Sequence, residues 1–319
     1  MYEVRYLLDI QVKADMVKQN IGRVLLGKEK AVELALTALV CGGHVLIEDA
    51  PGLGKTTLAT SLAKSLGCSF GRIQFTPDLL PSDITGFNIY DINTGQKTLC
   101  PGGVMYQLVL ADEINRTNPK TQSALLEAMQ EYQVTVDSQT IDLPRPFMVM
   151  ATQNPLEFAG TYPLPEAQMD RFFMRIRLGY PTLNEEINIL AYHQTANDKP
   201  DLQAVLSAAE VLQMQQALYE INVAPAVKRY ISQISEASRK HKEIELPISP
   251  RGSIALMRAA MGRALLLGRA YALPDDVQKL AEPVLAHRLG LYPAYRAKKH
   301  NGEMILQEIL STLPVPAAS

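Results

Sequence analysis

The sequence predicts an α/β layered domain built on a parallel sheet, followed by a smaller domain made of helices alone. Three observations carry that expectation. Five short apolar runs punctuate the first 181 residues: "HVLIED" (44–49), "SFGRIQF" (69–75), "QLVLAD" (107–112), "FMVMAT" (147–152) and "FFMRIRL" (172–178). Segments of helical pattern separate them, an alternation that builds layered α/β domains. After Pro181 the strand patterns stop and helical periodicity takes over.

The elements follow in order. Continuous apolar runs of this length suit strands buried on both faces, the condition inside a parallel sheet. The run at 44–49 passes through the loop 50–54 into a helix, where Leu58, Leu62 and Leu66 recur at helical spacing and Gly67 is placed to end it. Two stretches break the alternation. "ITGFNIYDINTGQKTL" (84–99) and "QVTVDSQTIDL" (133–143) each set alternating runs around a polar turn, the pattern of a β-hairpin. Beyond Pro181, helices are expected over 184–196, 207–220, 225–241, 251–270 and 275–289, and Pro274 with Asp275 and Asp276 marks a helix start. The boundary divides the chain into domains 1–181 and 182–319.

Bulk composition narrows the function. Hydrophobic residues make up 47% and charged residues 20% of the 319, as in an ordinary globular protein. A net charge of −2 argues against nucleic-acid binding through bulk charge. Cys41, Cys68 and Cys100 are scattered and form no C-x-x-C pair, which suits a reducing cytoplasm. The N-terminus mixes acids with its apolar residues, unlike a signal peptide. The longest near-apolar stretch, Ala35 to Ile47, is interrupted and too short to span a bilayer.

The chemistry concentrates at the ends of the predicted strands. "EDAPGLGKTT" (48–57) lies between a strand and a helix, the setting of a phosphate-binding loop, although Asp49 stands where the first glycine is usual. A short aspartate can shape that entrance by bonding the turn backbone. Residues 51–57 (Pro51, Gly52, Leu53, Gly54, Lys55, Thr56 and Thr57) would form the loop around the phosphates, with the backbone N–H groups that follow Pro51 wrapping them at a helix N-terminus. Lys55 would reach the β- and γ-phosphates and Thr56 would bind Mg²⁺. A solvated lysine in a plain glycine turn is the bland alternative.

"QLVLADE" brings Asp112 and Glu113 to the carboxyl edge of the sheet, where ligands bind. Asp112 would orient Mg²⁺ through water, and Glu113 would polarise the attacking water. A small-molecule kinase could use the same two motifs, but Glu113 beside the magnesium acid favours hydrolysis. Asn154, at the end of the 147–152 run, could hold that water, or Asn-Pro could simply make a turn. Arg171, just before a strand, could point at a neighbouring subunit's γ-phosphate, a role worth on the order of 10³–10⁵ in rate. Arg175 is a weaker candidate for that role. Arg251 sits in the first turn of a helix, opposing its dipole by roughly 0.3–1 kcal/mol, a cost that a bound phosphate would offset. An exposed, tolerated arginine is the alternative. Cys41 and His44 are two potential metal ligands without partners, and core packing explains them better.

These residues together resemble the AAA+ ATPases, and closely resemble their MoxR family. The resemblance rests on "GHVLIEDAPGLGKTTLA", "RIQFTPDLLPSDITG", "LVLADEINRTNPKTQSALLEAMQEYQVTVD", "PFMVMATQNPLEFAGTYPLPEAQMDRF" and "PDDVQKLAEPVLAHRL", which span most of residues 22–290. It implies a P-loop core with a five-stranded parallel sheet, two β-hairpin inserts and a helical lid. Residues 51–57 become Walker A, Asp112 and Glu113 Walker B, Asn154 sensor 1, Arg171 the arginine finger and Arg251 sensor 2. It further implies ATP and Mg²⁺ as ligands and a hexameric ring. The nucleotide would lie between the large domain and the lid, completed by the next subunit. Val24, Leu25 and Gly27 would line the adenine pocket, and Asn115 and Arg116 would face the subunit interface.

The family's members are chaperone-like, work with partners carrying a von Willebrand factor A domain, and in some cases assist metal-cofactor insertion into a client enzyme. A magnesium-chelatase-like motor shares the architecture. A nucleic-acid motor needs cations on its hairpins. The hairpin at 133–143 has none and carries Asp137 and Asp142, while the one at 84–99 has only Lys97. Clusters at Arg239–Lys242 and Arg296–His300 read as solvated faces. A non-hydrolysing, nucleotide-gated scaffold is disfavoured by the intact Glu113.

Overall fold

The structure is a computed structural model that describes residues 2–93, 95–154, 160–195 and 201–316. The chain opens with helices α1 (Tyr2–Gly22) and α2 (Glu29–Val40). These are followed by β1 (Val45–Glu48), α3 (Lys55–Ser65), β2 (Phe70–Gln74), α4 (Pro81–Thr85) and the hairpin β3 (Gly86–Tyr90)–β4 (Lys97–Pro101). Next come β5 (Leu108–Asp112), α5 (Pro119–Glu131), the hairpin β6 (Gln133–Val136)–β7 (Gln139–Asp142), β8 (Met148–Gln153), α6 (Glu166–Met169) and β9 (Met174–Ile176). The remainder is α7 (Leu183–Thr195), α8 (Ala208–Ala217), α9 (Pro225–Lys240), β10 (Ile244–Leu246), α10 (Pro250–Leu266), α11 (Pro274–Leu285), β11 (Gly290–Leu291), α12 (Pro293–Arg296) and α13 (Gly302–Thr312).

Five strands form one parallel sheet in the order β2–β5–β8–β1–β9. Each falls within or beside one of the five apolar runs. Their burial explains why the runs are continuous. Val45 and Ile47 of β1 enter one core with Leu58, Leu62, Met148 and Met150, while Leu46 enters the other with Val109, Val149 and Leu125. Alternate side chains thus pack on opposite faces of the sheet, and both faces are covered.

The first of these cores continues without a break through α1 and α2 into α8–α11 and α13. Helix α11 packs on β9, the edge strand, so the helical region is seated against the sheet. It also contains an antiparallel pair, β10 with β11, that the expectation of helices alone did not include. Strands of three and two residues are too short to leave a periodic signature.

Both expected hairpins form. They touch one another: the Asn88 amide donates to Asp137 Oδ2 at 3.0 Å, and Lys97 Nζ lies 3.8 Å from the same carboxylate. The first hairpin rejoins the sheet through Gly102 and Gly103. A Cβ on Gly102 would be driven into the Ile84 carbonyl and the Gly86 amide, so the backbones approach as only glycine allows.

Candidate functional site

The carboxyl edge of the sheet gathers the expected Walker residues. Gly52 and Gly54 have φ of +84° and +94°, a conformation that disfavours a side chain. A Cβ at Gly54 would also come within 2.9 Å of Leu25 Cδ1. Helix α3 starts at Lys55 with glycine at its N-cap and no side-chain cap, which leaves its first N–H groups for a ligand. The Lys55 ammonium is buried and donates to the Asp49 carbonyl at 2.7 Å, folded back along the loop.

Asp49 does a different job from the one expected. Its carboxylate bonds not its own turn but the segment after β9, accepting the N–H groups of Leu178 and of Gly179, the latter at 3.3 Å. The loop entrance is therefore tied to the neighbouring strand's exit, a tie that glycine could not make. On the same side, Gly27 sits against the Glu185 side chain and Lys28 Nζ donates to the Gly179 carbonyl at 2.9 Å. Leu25 and Gly27 of the expected adenine pocket thus flank the loop, with Val24 half-buried beside them.

Two strands away, β5 delivers Asp112 and Glu113. Thr152 Oγ1 links them: it donates to Asp112 Oδ1 at 2.6 Å and accepts the Glu113 N–H at 2.9 Å. Glu113 itself has φ 60° and ψ 49°, a left-handed conformation that costs a bulky residue of order 1–3 kcal/mol. Its carboxylate takes Gln74 Nε2 at 3.2 Å and faces Arg116 Nε at 3.0 Å. Arg72 Nη2 donates to Asp112 Oδ2 at 2.7 Å. Sequence reasoning missed Thr152, Arg72 and Gln74. Only the sheet registers, β8 on β5 and β2 on β5, bring them to the acids. Asn154 follows β8 directly and is buried at this edge.

Asn115 does not face a neighbour as expected. The short turn Ile114–Arg116 points Ile114 and Asn115 inward, and Asn115 is 4% exposed within the single chain. Arg116 remains half in solvent, paired with Glu113.

The arginines lie at the opposite edge. Arg171 precedes β9, which runs parallel to β1, and the Phe173 N–H donates to the His44 carbonyl just before β1 begins. The phosphate loop follows β1, so the four-residue strand, about 13 Å long, separates Arg171 from Lys55 in one chain. A cavity of about 360 Å³ opens at this amino edge, lined among others by Glu131, Asp170, Arg171, Arg251, Arg258 and Arg288. No residue of 50–57 lines it. Arg251 is therefore grouped with Arg171, not with the chain's own phosphate loop as the lid arrangement implied. Its Nε lies 4.0 Å from Asp170 Oδ2, a carboxylate that offsets the unfavourable dipole of α10.

Arg175 is committed elsewhere. Its two amino groups meet Glu48 Oε2 at 3.1 Å and Glu303 Oε1 at 2.5 Å, with Arg177 on the same pair of acids. It ties α13 to the end of β1 and is not a second finger. Among the described residues, no hydrogen bond or ion pair engages the Arg171 side chain.

His44 is structural. Its Nδ1 accepts the Val149 N–H at 3.0 Å, so Nε2 carries the proton and donates to the Met129 carbonyl at 2.9 Å. Burial pushes its pKa down to about 4. Cys41 donates to the Arg258 carbonyl, and burial raises its thiol to about 12. No group of metal-ligating side chains forms among the described residues, and no described helix is long and apolar enough to cross a membrane. The His193 side chain lies outside the described set. The basic clusters are partly paired: Lys240 with Glu236, Arg296 with Glu166 and Glu245, and His300 with Glu243.

Known proteins share this arrangement. Residues 44–174 match the family described as "ATPase family associated with various cellular activities (AAA)", and residues 236–309 match the AAA lid domain. The chain is 39% identical to Chaperone MoxR1 of Mycobacterium tuberculosis over 93% of its length and 81% of that protein's. The chain belongs to the MoxR family of AAA+ ATPases. It is 48% identical to the Bacillus subtilis protein YeaC over 98% and 97% of the two chains, and 32% identical to Protein MoxR of Paracoccus denitrificans over 92% and 94%. A crystal structure from Cytophaga hutchinsonii, of a protein assigned as an ATPase, superposes with a TM-score of 0.90 at 36% identity, over 97% of each chain. The AAA match runs from β1 to β9 and so contains both edges of the sheet. The lid match contains Arg251 and Arg288.

The residues present fit ATP with Mg²⁺. The open N-terminus of α3, the left-handed glycines and the buried ammonium of Lys55 suit a polyphosphate. An acid held by Thr152 suits a hard cation.

Proposed function

We propose that this MoxR-family chain hydrolyses ATP at sites shared between neighbouring subunits of a ring, and uses the cycle to remodel client proteins. The carrying observation is the division of groups between two edges of one sheet. The carboxyl edge holds the phosphate loop, Asp112, Glu113 and Asn154, and the amino edge holds Arg171 and Arg251. A single chain holds two incomplete halves facing apart, and a ring brings one chain's arginines to the next chain's nucleotide. The hexamer is the ring size that the family resemblance implies.

In that site the N–H groups of residues 52–57, in the loop that Pro51 opens, and Lys55 bind the β- and γ-phosphates. Thr56 and Asp112 would hold Mg²⁺, whose Lewis acidity would supply charge stabilisation at the phosphates. Glu113 polarises the attacking water, Asn154 positions it, and the neighbour's Arg171, with Arg251 beside it, stabilises the charge that develops on the transferred phosphoryl group. Glu113 must leave Gln74 and Arg116 to reach that water.

The paired hairpins supply the client surface. Ile89, Tyr90 and Ile92 are 53%, 60% and 89% exposed, an apolar hairpin end suited to polypeptide. The one lysine of the hairpins is matched by Asp137, which leaves little to attract phosphates. Scattered free cysteines suit work in the cytoplasm.

The test is turnover against protein concentration, followed by capture with a Glu113→Gln chain in ATP. The reading predicts a specific activity that rises with assembly, and recovery of a client or a von Willebrand factor A protein. Turnover independent of concentration down to the monomer, or recovery of nucleic acid alone, would refute it.

A further inference from the structure

Arg288 is the most deeply invested cation at the amino edge. It sits in the turn Ala286–Arg288 that closes α11, in the helical region, and its side chain is 4% exposed. Burying a guanidinium is costly unless every donor is satisfied. Here its donors converge on one short stretch. Nε donates to Asp170 Oδ1 at 2.7 Å; Nη2 donates to the Phe172 carbonyl at 2.8 Å and the Asp170 carbonyl at 3.4 Å; Nη1 donates to the Phe173 carbonyl at 3.3 Å and also to the Val284 carbonyl of its own helix. Adjacent His287 bonds the Phe172 carbonyl through Nε2 at 3.1 Å. These partners bracket Arg171 on both sides, and the Asp170 carboxylate they hold also faces Arg251.

The geometry points to Arg288 and Asp170 as positioning residues for ATP hydrolysis, a clamp by which the helical region sets the aim of Arg171 at the next subunit's nucleotide. The inference rests on the reading of Arg171 given above. A planar fork gripping successive carbonyls fixes both direction and register, which a lysine's point charge does not. The 170–173 stretch lies between α6 and β9; its N–H groups bond Glu166, Gln168, Met169 and His44, while the carbonyls of Asp170, Phe172 and Phe173 take the side-chain donors of Arg288 and His287. Any shift of α11 against β9 then moves the stretch that carries Arg171, and the Arg288–Asp170 pair couples the helical region to that stretch directly.

The experiment measures steady-state ATPase of Asp170→Asn, Arg288→Lys and Arg171→Ala, and of Asp170→Asn combined with Arg171→Ala. A misaimed group costs up to about a hundredfold in rate. Asp170→Asn and Arg288→Lys are expected to lower kcat about ten- to a hundredfold, with KM for ATP near wild type because the phosphate loop is at the far edge. In the Arg171→Ala background, Asp170→Asn is expected to cost nothing further. Retained turnover in both clamp variants, with Arg171→Ala impaired, would overturn the inference. An equal loss from Asp170→Asn in both backgrounds would also overturn it, since that marks general structural damage. If Arg171→Ala itself keeps full turnover, the reading of Arg171 fails first and the clamp falls with it. Melting curves identify misfolding; should Arg288→Lys not fold, Asp170→Asn, which keeps the size of the side chain, decides alone.

Discussion

The two edges of the sheet are electrostatic opposites. The carboxyl edge gathers acids, Asp112 and Glu113, beside a helix N-terminus and one buried ammonium. The amino edge gathers Arg171, Arg251, Arg258 and Arg288 around one cavity, Arg251 and Arg288 on Asp170, with His44 buried and neutral in its lining. Acids next to a phosphate loop hold metal and water, and unsheathed arginines face developing negative charge. The division teaches that neither edge is a complete site. The strand that separates them keeps Arg171 away from its own chain's phosphate loop, and on the proposed reading this makes assembly part of the mechanism.

The largest effect that could break this comparison comes from the amino edge. Arg171→Ala should lower turnover by on the order of 10³–10⁵ while equilibrium binding of ATP persists, measured by a fluorescent nucleotide alongside phosphate release. Loss of binding in parallel would place Arg171 in the phosphate loop's own half.

A smaller effect sharpens the carboxyl edge. Thr152→Val keeps shape but removes the donor to Asp112 and the acceptor for the Glu113 N–H. An unmade bond at a buried group costs about 1–3 kcal/mol. The variant should melt earlier and turn over roughly tenfold slower. Unchanged turnover would mean that Asp112 and Glu113 need no such linkage.

The last effect falls on stability, with no loss of turnover at neutral pH, and separates the edges by pH. Folding lowers the His44 pKa from 6.5 to about 4, so the unfolded chain binds the proton more readily. Stability from this group is complete above the unfolded pKa and is lost as pH falls from 6.5 towards about 4, by up to about 3 kcal/mol. Buried His287, also held well below its ordinary range, adds to the same loss. Denaturant unfolding at neutral pH and at pH near 5 should show that fall, and His44→Gln should flatten it. A slope untouched by His44→Gln would remove the histidine from the account.

The sequence made the carboxyl edge readable because its groups lie at strand ends in contiguous motifs. The apolar runs announce the strands: Asp112 ends one, Asn154 follows another, and Gly54 and Lys55 close the short loop after a third. Thr152, Arg72 and Gln74 were not readable, because strand register, not spacing along the chain, brings them to the acids. The amino edge was half readable. Arg171 and Arg251 could be named one at a time, but their meeting in one cavity depends on how the helical region seats on β9. Arg288 could not be singled out within its quoted stretch, since the partners that matter, at 170–173, lie more than a hundred residues away. The antiparallel pair β10–β11 was too short to see, and Arg175 looked like a finger because its two acids come from the distant positions 48 and 303.

Mixing two inactive chains tests the central claim most directly. Lys55→Ala removes the grip on phosphate and leaves Arg171 intact, while Arg171→Ala does the reverse. Each alone should be nearly silent, and their mixture should regain turnover at interfaces where an intact loop meets an intact arginine. A mixture no more active than its parts, from chains shown to co-assemble, would contradict a site shared between subunits.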